Sequence, residues 1–269
     1  MYEPGGQAKS FYQYVFRQSS AQDKFIVYKI PAIEKEKKGT HLRSGLSYAY
    51  ITSKDPEKWV LSSKSVESKN SILGINLEQS KKKSKKDSSL SRLFYSDDPP
   101  LQYHKRLKKN IGHLKGRYLL YCHPNIYQYE LTNGVKELLD KTAQSLFTDK
   151  PHFIKKPPYV EEFKFHSLAG EEFVGYAKDE MEESDLYSNI LSKYLNEDLI
   201  VQSWRRGSGG ALSPSCDSRN TVSDVLTINM AFPKRKKDIL FTFTKDHSKW
   251  AISEDAHSSV VCVSDLNRM

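Results

Sequence analysis

The apolar residues of this chain come in short runs closed by proline or by small polar residues, a pattern that builds strands rather than long helices. "DKFIVYKIPAI" (Asp23–Ile33) is β-branched and aromatic and ends near Pro31, as a buried strand does. "GLSYAYITS" (Gly45–Ser53) sets Leu46, Tyr48 and Tyr50 against small residues, the two-residue period of a strand with an aromatic face. Pro56-Glu57 predicts a turn, followed by a third strand in "KWVLSS". "DLIVQSWRR", "VLTINMAFP" (closed by Pro233) and "VVCVSDLNRM" add strands further on. "RYLLYCHPNIYQYEL" (Arg117–Leu131) mixes strand signal with a proline break. Two stretches have helical spacing instead. One is "NGVKELLDKTAQSLF", apolar at 135, 138, 139 and 143. The other is "DLYSNILSKYL", with Leu186, Ile190, Leu191, Tyr194 and Leu195 on one face and Ser184 as N-cap. Strands that alternate with helices predict an α/β or α+β class.

The segment "EQSKKKSKKDSSLSRLF" (Glu78–Phe94) is dense in Lys and Ser and cannot bury itself. It predicts a solvated loop over 78–92, or an arm that contacts phosphate. The formal net charge of +9 favours polyanionic partners such as nucleic acid, anionic membrane or acidic glycan; ordinary solubility is the competing reading. An aromatic share of 12% argues against wholesale disorder. No run approaches the roughly 18 apolar residues of a membrane span. Residues 1–22 lack the basic start and apolar run of a signal peptide. Cys122, Cys216 and Cys262 are widely spaced, with no zinc spacing. They allow one disulfide and a free thiol, or three buried thiols.

Two His-x-Lys triplets stand out: His113 and Lys115 in "NIGHLKGRYLL", and His247 and Lys249 in "TKDHSKWAIS". With 32 Lys and 8 His in 269 residues, chance alone supplies about one such triplet. The number decides nothing, and the surroundings must. On a strand, residues i and i+2 point the same way, about 7 Å apart, so each triplet offers an imidazole and an ammonium to one face. A phosphodiester needs a nucleophile, an acid for the leaving oxygen and cations for its non-bridging oxygens. Two imidazoles in opposite protonation states and two lysines supply these without a metal.

The blocks "FIVYKIP", "LFYSDDPP", "GHLKG", "ESDLYSNIL", "INMAFP" and "DHSKWAIS…VCVSDLNR" occur in the order found in deoxyribonuclease II, and the chain resembles that family from about Phe25 to Arg268. The resemblance implies a phospholipase D-like pseudo-dimer: two mixed-sheet halves, each supplying one His-x-Lys to a central cleft. The expected division is an N-terminal segment over 1–22, a first half over 23–117 holding the first triplet, and the remainder with the second half over 118–269. The implied activity is endonucleolytic hydrolysis of DNA at acid pH, with no metal or other cofactor, leaving 3′-phosphate and 5′-hydroxyl ends, in lysosomes or outside the cell. His113 is expected as nucleophile and His247 as general acid, although the sequence leaves the two roles interchangeable. Asn267 resembles the family's phosphate-contacting amide. His123 and His166 read as ordinary core or surface histidines, and Trp250 as packing beside the site.

The chain departs from the family in the first half, where Gly116 runs almost directly into "LLYCHPNIYQYEL". A stretch including the first half's counterpart of Asn267 is missing. Ala251 stands where the family usually carries Cys. A second reading therefore accompanies the enzyme: a degenerate member that binds DNA or a host partner and cuts nothing.

Overall fold

The computed structural model describes residues 25–84, 92–95, 119–122, 126–131, 133, 137, 139–148, 152–166, 172–206, 210–216, 219–258 and 260–268. Among these, strands dominate and helices are short, giving a mixed α+β protein in which nearly all strand pairs are antiparallel. The chain divides into two compact units, one made of residues 1–76 with 184–269 and the other of 77–183. Compactness thus groups the first strands with the last ones, across the halves expected from sequence.

The first unit opens with β1 (Phe25–Lys29), β2 (Tyr48–Thr52) and β3 (Asp55–Leu61), an antiparallel sheet in the order β1-β2-β3. The aromatic face expected of the second strand is present, with the Tyr48 and Tyr50 rings 6.2 Å apart. The expected turn at Pro56-Glu57 is not there. Thr52 pairs with Asp55, so Ser53-Lys54 makes the turn and Pro56 lies inside β3. A proline is tolerated there because β3 is the edge of its sheet. Between β1 and β2, α1 (His41–Ser44) is capped by Thr40 and closed by Gly45 at φ 69°.

The expected loop over 78–92 is replaced in its first part by α2 (Ile72–Ser84). Lys, Glu and Gln are good helix formers, so a sequence too polar to bury can still be helical. Residues 85–91 lie outside the described residues. The start of α2 is tied down by Ser71 Oγ, which accepts from Gly74 N at 2.9 Å, and by Tyr48 Oη, which accepts from Ile72 N at 3.2 Å. Gly74 is required there, since a Cβ would sit 2.2 Å from the Ser68 carbonyl oxygen.

In the second unit, β4 (Arg92–Tyr95) pairs with β5 (Ile126–Glu130). The mixed signal over 117–131 resolves into α3 (Leu119–Cys122) followed by β5. The helix expected over 133–147 begins afresh at α4 (Lys141–Gln144), because Asp140 caps it with a 2.7 Å bond from Ala143 N. Leu120 and Leu146 are the buried centre, with Ile126, Phe147, Phe153 and Ile154 around them. A hairpin of β6 (Val160–His166) and β7 (Glu172–Lys178) completes this unit; sequence reasoning passed over it, although "FKFH" alternates apolar and polar residues and "EFVGYAK" is rich in aromatic and β-branched ones. His166 ends β6.

The helix expected in "DLYSNILSKYL" forms as α5, a π-type turn over Leu186–Leu191 continued by Ser192–Leu195. Its N-cap is Asp185 rather than Ser184: the Asp185 carboxylate accepts from Ser188 N at 2.9 Å and from Ser188 Oγ at 2.7 Å. After it come β8 (Leu199–Gln202), β9 (Val222–Asp224), β10 (Thr227–Met230), β11 (Ile239–Thr242), β12 (Trp250–Ser253) and β13 (Val261–Val263). The central sheet runs β13-β12-β8-β9, with β8 and β9 parallel and the other pairs antiparallel. β10 and β11 form a hairpin. Phe232, Ile239 and Phe241 from that hairpin bury against Tyr28, Ile30, Leu42 and Ala49, with Trp59 and Trp250 packed around them.

The polar interior of this unit is ionic. Arg268, side chain 2% exposed, donates to Asp224 at 2.8 Å and to Asp185 at 3.2 Å, and Arg205 reaches Asp224 at 3.3 Å. Burial pushes the Asp224 carboxyl above its usual range, and Arg268 and Arg205 pull it back. Charges so deep are held by their partners, and deleting one leaves the other stranded. Asp185→Ala removes a helix cap and an Arg268 partner together. It should lower unfolding free energy by about 3–5 kcal/mol, read from urea midpoints. Asp185→Asn keeps the cap acceptor and should lose less; equal losses would mean that the ion pair, not the cap, dominates.

Candidate active site

The second His-x-Lys lies at one end of the central sheet. Trp250 of β12 pairs with Gln202 of β8 on one side and with Val263 of β13 on the other, both antiparallel. The residues leading into β12 therefore sit beside those leaving β8 and β13. Residues 203–205, 246–249 and 264–268 converge at this end, and Asp224 at the end of β9, parallel to β8, joins them.

The turn that carries the pair is built from below. β11 runs into a 3₁₀ turn over Phe243–Lys245, and Asp246 resumes extended backbone at φ −109°, ψ 114°. Asp246 and Ser248 are buried, at 2% and 1% exposure, so alternation turns His247 and Lys249 the other way, where both are half-buried. Asp246 is the anchor. Its Oδ2 accepts from the Tyr28 hydroxyl and, at 2.7 Å, from Ser248 Oγ; its Oδ1 accepts from Ser248 N at 3.0 Å. Tyr28 Oη also meets Ser248 Oγ at 3.0 Å and accepts from Trp250 Nε1 at 3.3 Å. Gln202 Nε2 donates to the Asp246 carbonyl at 3.3 Å. Lys29, next to Tyr28, is largely buried; burial lowers its ammonium pKa, and the charges of Asp246 and Glu67 oppose that shift.

Above the anchor, the Trp204 indole stacks on the His247 imidazole, with centroids 4.3 Å apart and planes 22° from parallel. Trp204 is itself pinned, its Nε1 donating to the Thr244 carbonyl at 3.2 Å and its backbone N–H to Asn267 Oδ1 at 3.2 Å. That last bond fixes the Asn267 amide: the oxygen is committed to a donor, so the Nδ2 donors face elsewhere. Lys249 Nζ donates to the carbonyl of His247 at 2.8 Å, so its ammonium curls back over the histidine backbone instead of standing parallel to the ring.

Asn267 is not on the last strand, as expected, but four residues past its end at Val263. The bond from Ser264 N to the Lys249 carbonyl, at 3.0 Å, is in register with the β12–β13 pairing and extends it by one step; beyond it, Tyr187 Oη donates to the Leu266 carbonyl at 2.7 Å, and Arg268 is held by Asp185, Asp224 and, through its backbone N–H, by Ser203 Oγ at 3.1 Å. Ala251, fully buried on β12, faces Val201 and Cys262 across the ladders. Cys262 and Cys216 are free thiols, and burial pushes the Cys262 thiol up to about 11. Trp250, read from sequence as packing beside the site, packs against the core cluster.

His113 and Lys115 lie outside the described residues, as do His123 and the glycines around the first triplet. The structure therefore brings His247, Lys249 and Asn267 together through Trp204, a residue that sequence reasoning passed over. Its signal was its position, just past an apolar strand in "LIVQSWRR".

Fold and site together define a mixed α+β protein that presents an imidazole, an ammonium and an amide from one sheet end over a buried carboxylate. The profile of the deoxyribonuclease II family matches residues 18–120 and 116–269, and the chain belongs to that family. It is 31% identical over 154 residues to Deoxyribonuclease-2 of Caenorhabditis elegans, an alignment that takes in 57% of this chain and 38% of that protein. It is 28% identical over 153 residues to Plancitoxin-1 of Acanthaster planci, covering 57% and 40%. Against bovine Deoxyribonuclease-2-alpha the identity is 28% over 298 aligned positions, covering 91% of this chain and 79% of the relative. The chain thus spans about two fifths of the first two relatives. The bovine alignment is longer than the chain's 269 residues, so part of it stands opposite gaps on this side.

Removing the indole should release the imidazole it covers. In Trp204→Ala the His247 ring protons should move downfield in an NMR spectrum, as ring-current shielding disappears. Unchanged histidine resonances would contradict the stack.

Proposed function

We propose that the chain is an endonuclease that hydrolyses DNA phosphodiesters at acid pH without metal, using His247 and Lys249 with His113 and Lys115, and Asn267 as a phosphate-contacting amide. The observation that carries this reading is the arrangement of His247, Lys249 and Asn267 at one sheet end, over a turn locked by Asp246, in a chain of the deoxyribonuclease II family. In this reading the two imidazoles belong to the two halves of a phospholipase D-like pseudo-dimer, the first of them shortened.

The proposed chemistry has two steps. A neutral imidazole, assigned to His113, attacks phosphorus; an N–P bond forms and the bond to the 5′-oxygen breaks. The protonated imidazole, assigned to His247, gives its proton to that departing oxygen, producing the 5′-hydroxyl. Water then attacks the phosphohistidine, with His247 taking back a proton, and leaves the 3′-phosphate. Lys115, Lys249 and the Asn267 Nδ2 donors meet the charge on the non-bridging oxygens. Trp204 holds the His247 ring plane, and a misplacement near 1 Å can cost about a hundredfold. A lysosomal or secreted location follows from the same family reading. No helix among the described residues is long and apolar enough to cross a membrane.

The second reading is a degenerate member that binds DNA or a host partner without cutting. It draws on one observation: the two family matches meet at residues 116–120, immediately after Lys115, where the sequence runs short.

Plasmid nicking in excess chelator separates the two. The enzyme reading expects turnover to persist with chelator and to be lost in His113→Asn and in His247→Asn, while both variants still bind DNA. Near wild-type cleavage by either variant, or activity that returns only with magnesium, sinks it. Because one imidazole must be neutral while the other is protonated, and unperturbed histidine titrates near 6.5, the rate should follow a bell. Its maximum should fall between roughly pH 4.5 and 6. A rate that climbs steadily to pH 8 contradicts the two-histidine mechanism.

A further inference from the structure

The hairpin of β10 and β11 carries "PKRKKD" across its tip, a basic cluster that the catalytic reading leaves unused. Met230 pairs with Ile239, so residues 231–238 form the connection. The base of this loop is fixed: Phe232 is buried in the core, and Asn229 Nδ2 donates to Asp238 Oδ2 at 2.9 Å across the neck. Its middle is fixed too. Arg235 N donates to the Phe232 carbonyl at 2.9 Å, and its guanidinium folds back, Nε donating to the Lys237 carbonyl at 3.2 Å. The other arm of the guanidinium meets Glu36 at 2.6 Å. The arginine charge is thereby met by Glu36, in a pair that is partly exposed. Lys234, Lys236 and Lys237 are exposed, and none is paired with a carboxylate among the described residues.

We infer that this lysine triad is a docking surface for the phosphate backbone of duplex DNA, held at a fixed place relative to His247. The inference rests on the nuclease reading for its substrate class and on the hairpin geometry for its place. β11 leads directly from the loop into the turn that presents His247. Lys237 is ten residues upstream of His247, and at about 3.3 Å per residue the two lie no more than about 33 Å apart, so one turn of duplex is long enough to reach both. Point charges on flexible stems suit a backbone contact that ignores sequence. A basic peptide read by an acidic protein groove is normally extended, which the Glu36 and Asp238 contacts prevent here. The triad also differs from the Lys/Ser-rich run after Leu77, the segment that composition alone nominates for phosphate.

The test uses the full chain silenced at the site, His247→Asn, so that binding is measured apart from cutting. Its affinity for a 30-base-pair duplex would be followed by fluorescence anisotropy between 50 and 300 mM KCl. The comparison is the same chain with Lys234→Gln, Lys236→Gln and Lys237→Gln. Each lysine that no longer meets a phosphate should flatten the slope of log K against log salt by about 0.9 unit, equally for unrelated sequences. Replacing the three by arginine should restore the slope. An unchanged slope overturns the inference, as does a silenced chain that does not bind duplex. So does a triad whose neutralisation spares DNA but abolishes binding to anionic phospholipid vesicles or to polyglutamate. A chain that binds through the triad while the wild type nicks nothing upholds the docking surface and sinks the endonuclease reading.

Discussion

The Asp246 carboxylate is the contact on which the candidate site depends. It is buried, and it gathers a hydroxyl from β1, a hydroxyl and a backbone N–H from Ser248, and stands where it can offset the charge of Lys29. Each bond to a charged acceptor in such surroundings is worth more than a neutral one. Together they fix two alternate residues of a four-residue stretch. The other two, His247 and Lys249, are then aimed by default. The tetrapeptide Asp-His-Ser-Lys is in this sense a single device: half of it is root, and half is tool.

The same logic extends to Asn267. It lies in a segment with no ladder partner, yet its amide is oriented because neighbours on both sides are held. Tyr187 takes the Leu266 carbonyl, and Arg268 is sunk between two aspartates. Asp185 serves twice, capping α5 and pairing with Arg268. The helix start and the end of the site therefore share a carboxylate. Trp204 closes the circuit by stacking on His247 while its backbone holds Asn267.

Much of this was legible in the sequence, and what was not has physical reasons. The strands around Phe25–Lys29, Tyr48–Thr52, Leu199–Gln202 and Thr227–Met230 follow from β-branched and aromatic runs, whose signal is local. So does α5, although not its cap, because Ser184 and Asp185 are both good capping residues and a tertiary partner, Arg268, favours the second. The turn at Ser53-Lys54 was hidden because Pro56 is a turn signal everywhere except on an edge strand. The lysine-rich stretch to Ser84 looked like loop, since composition reports that it cannot be buried and says nothing against an exposed helix. Within the site, the spacing of His247 and Lys249 was readable, and the roles of Asp246, Tyr28 and Trp204 were not. Those three act across separations of up to 222 residues, which no periodicity encodes.

That separation has a consequence for how the chain is made. The ribosome delivers Tyr28 early and Asp246 only 218 residues later, about ten to forty seconds at 5–20 residues per second. Throughout that interval β1, β2 and β3 exist without the hairpin that covers their apolar side. The second unit, 77–183, is continuous in sequence and is complete on emergence well before. Birth order thus runs opposite to importance. The part that can settle first holds none of the described candidate site residues, and the part that holds them waits, half-dressed, for the last strand to arrive.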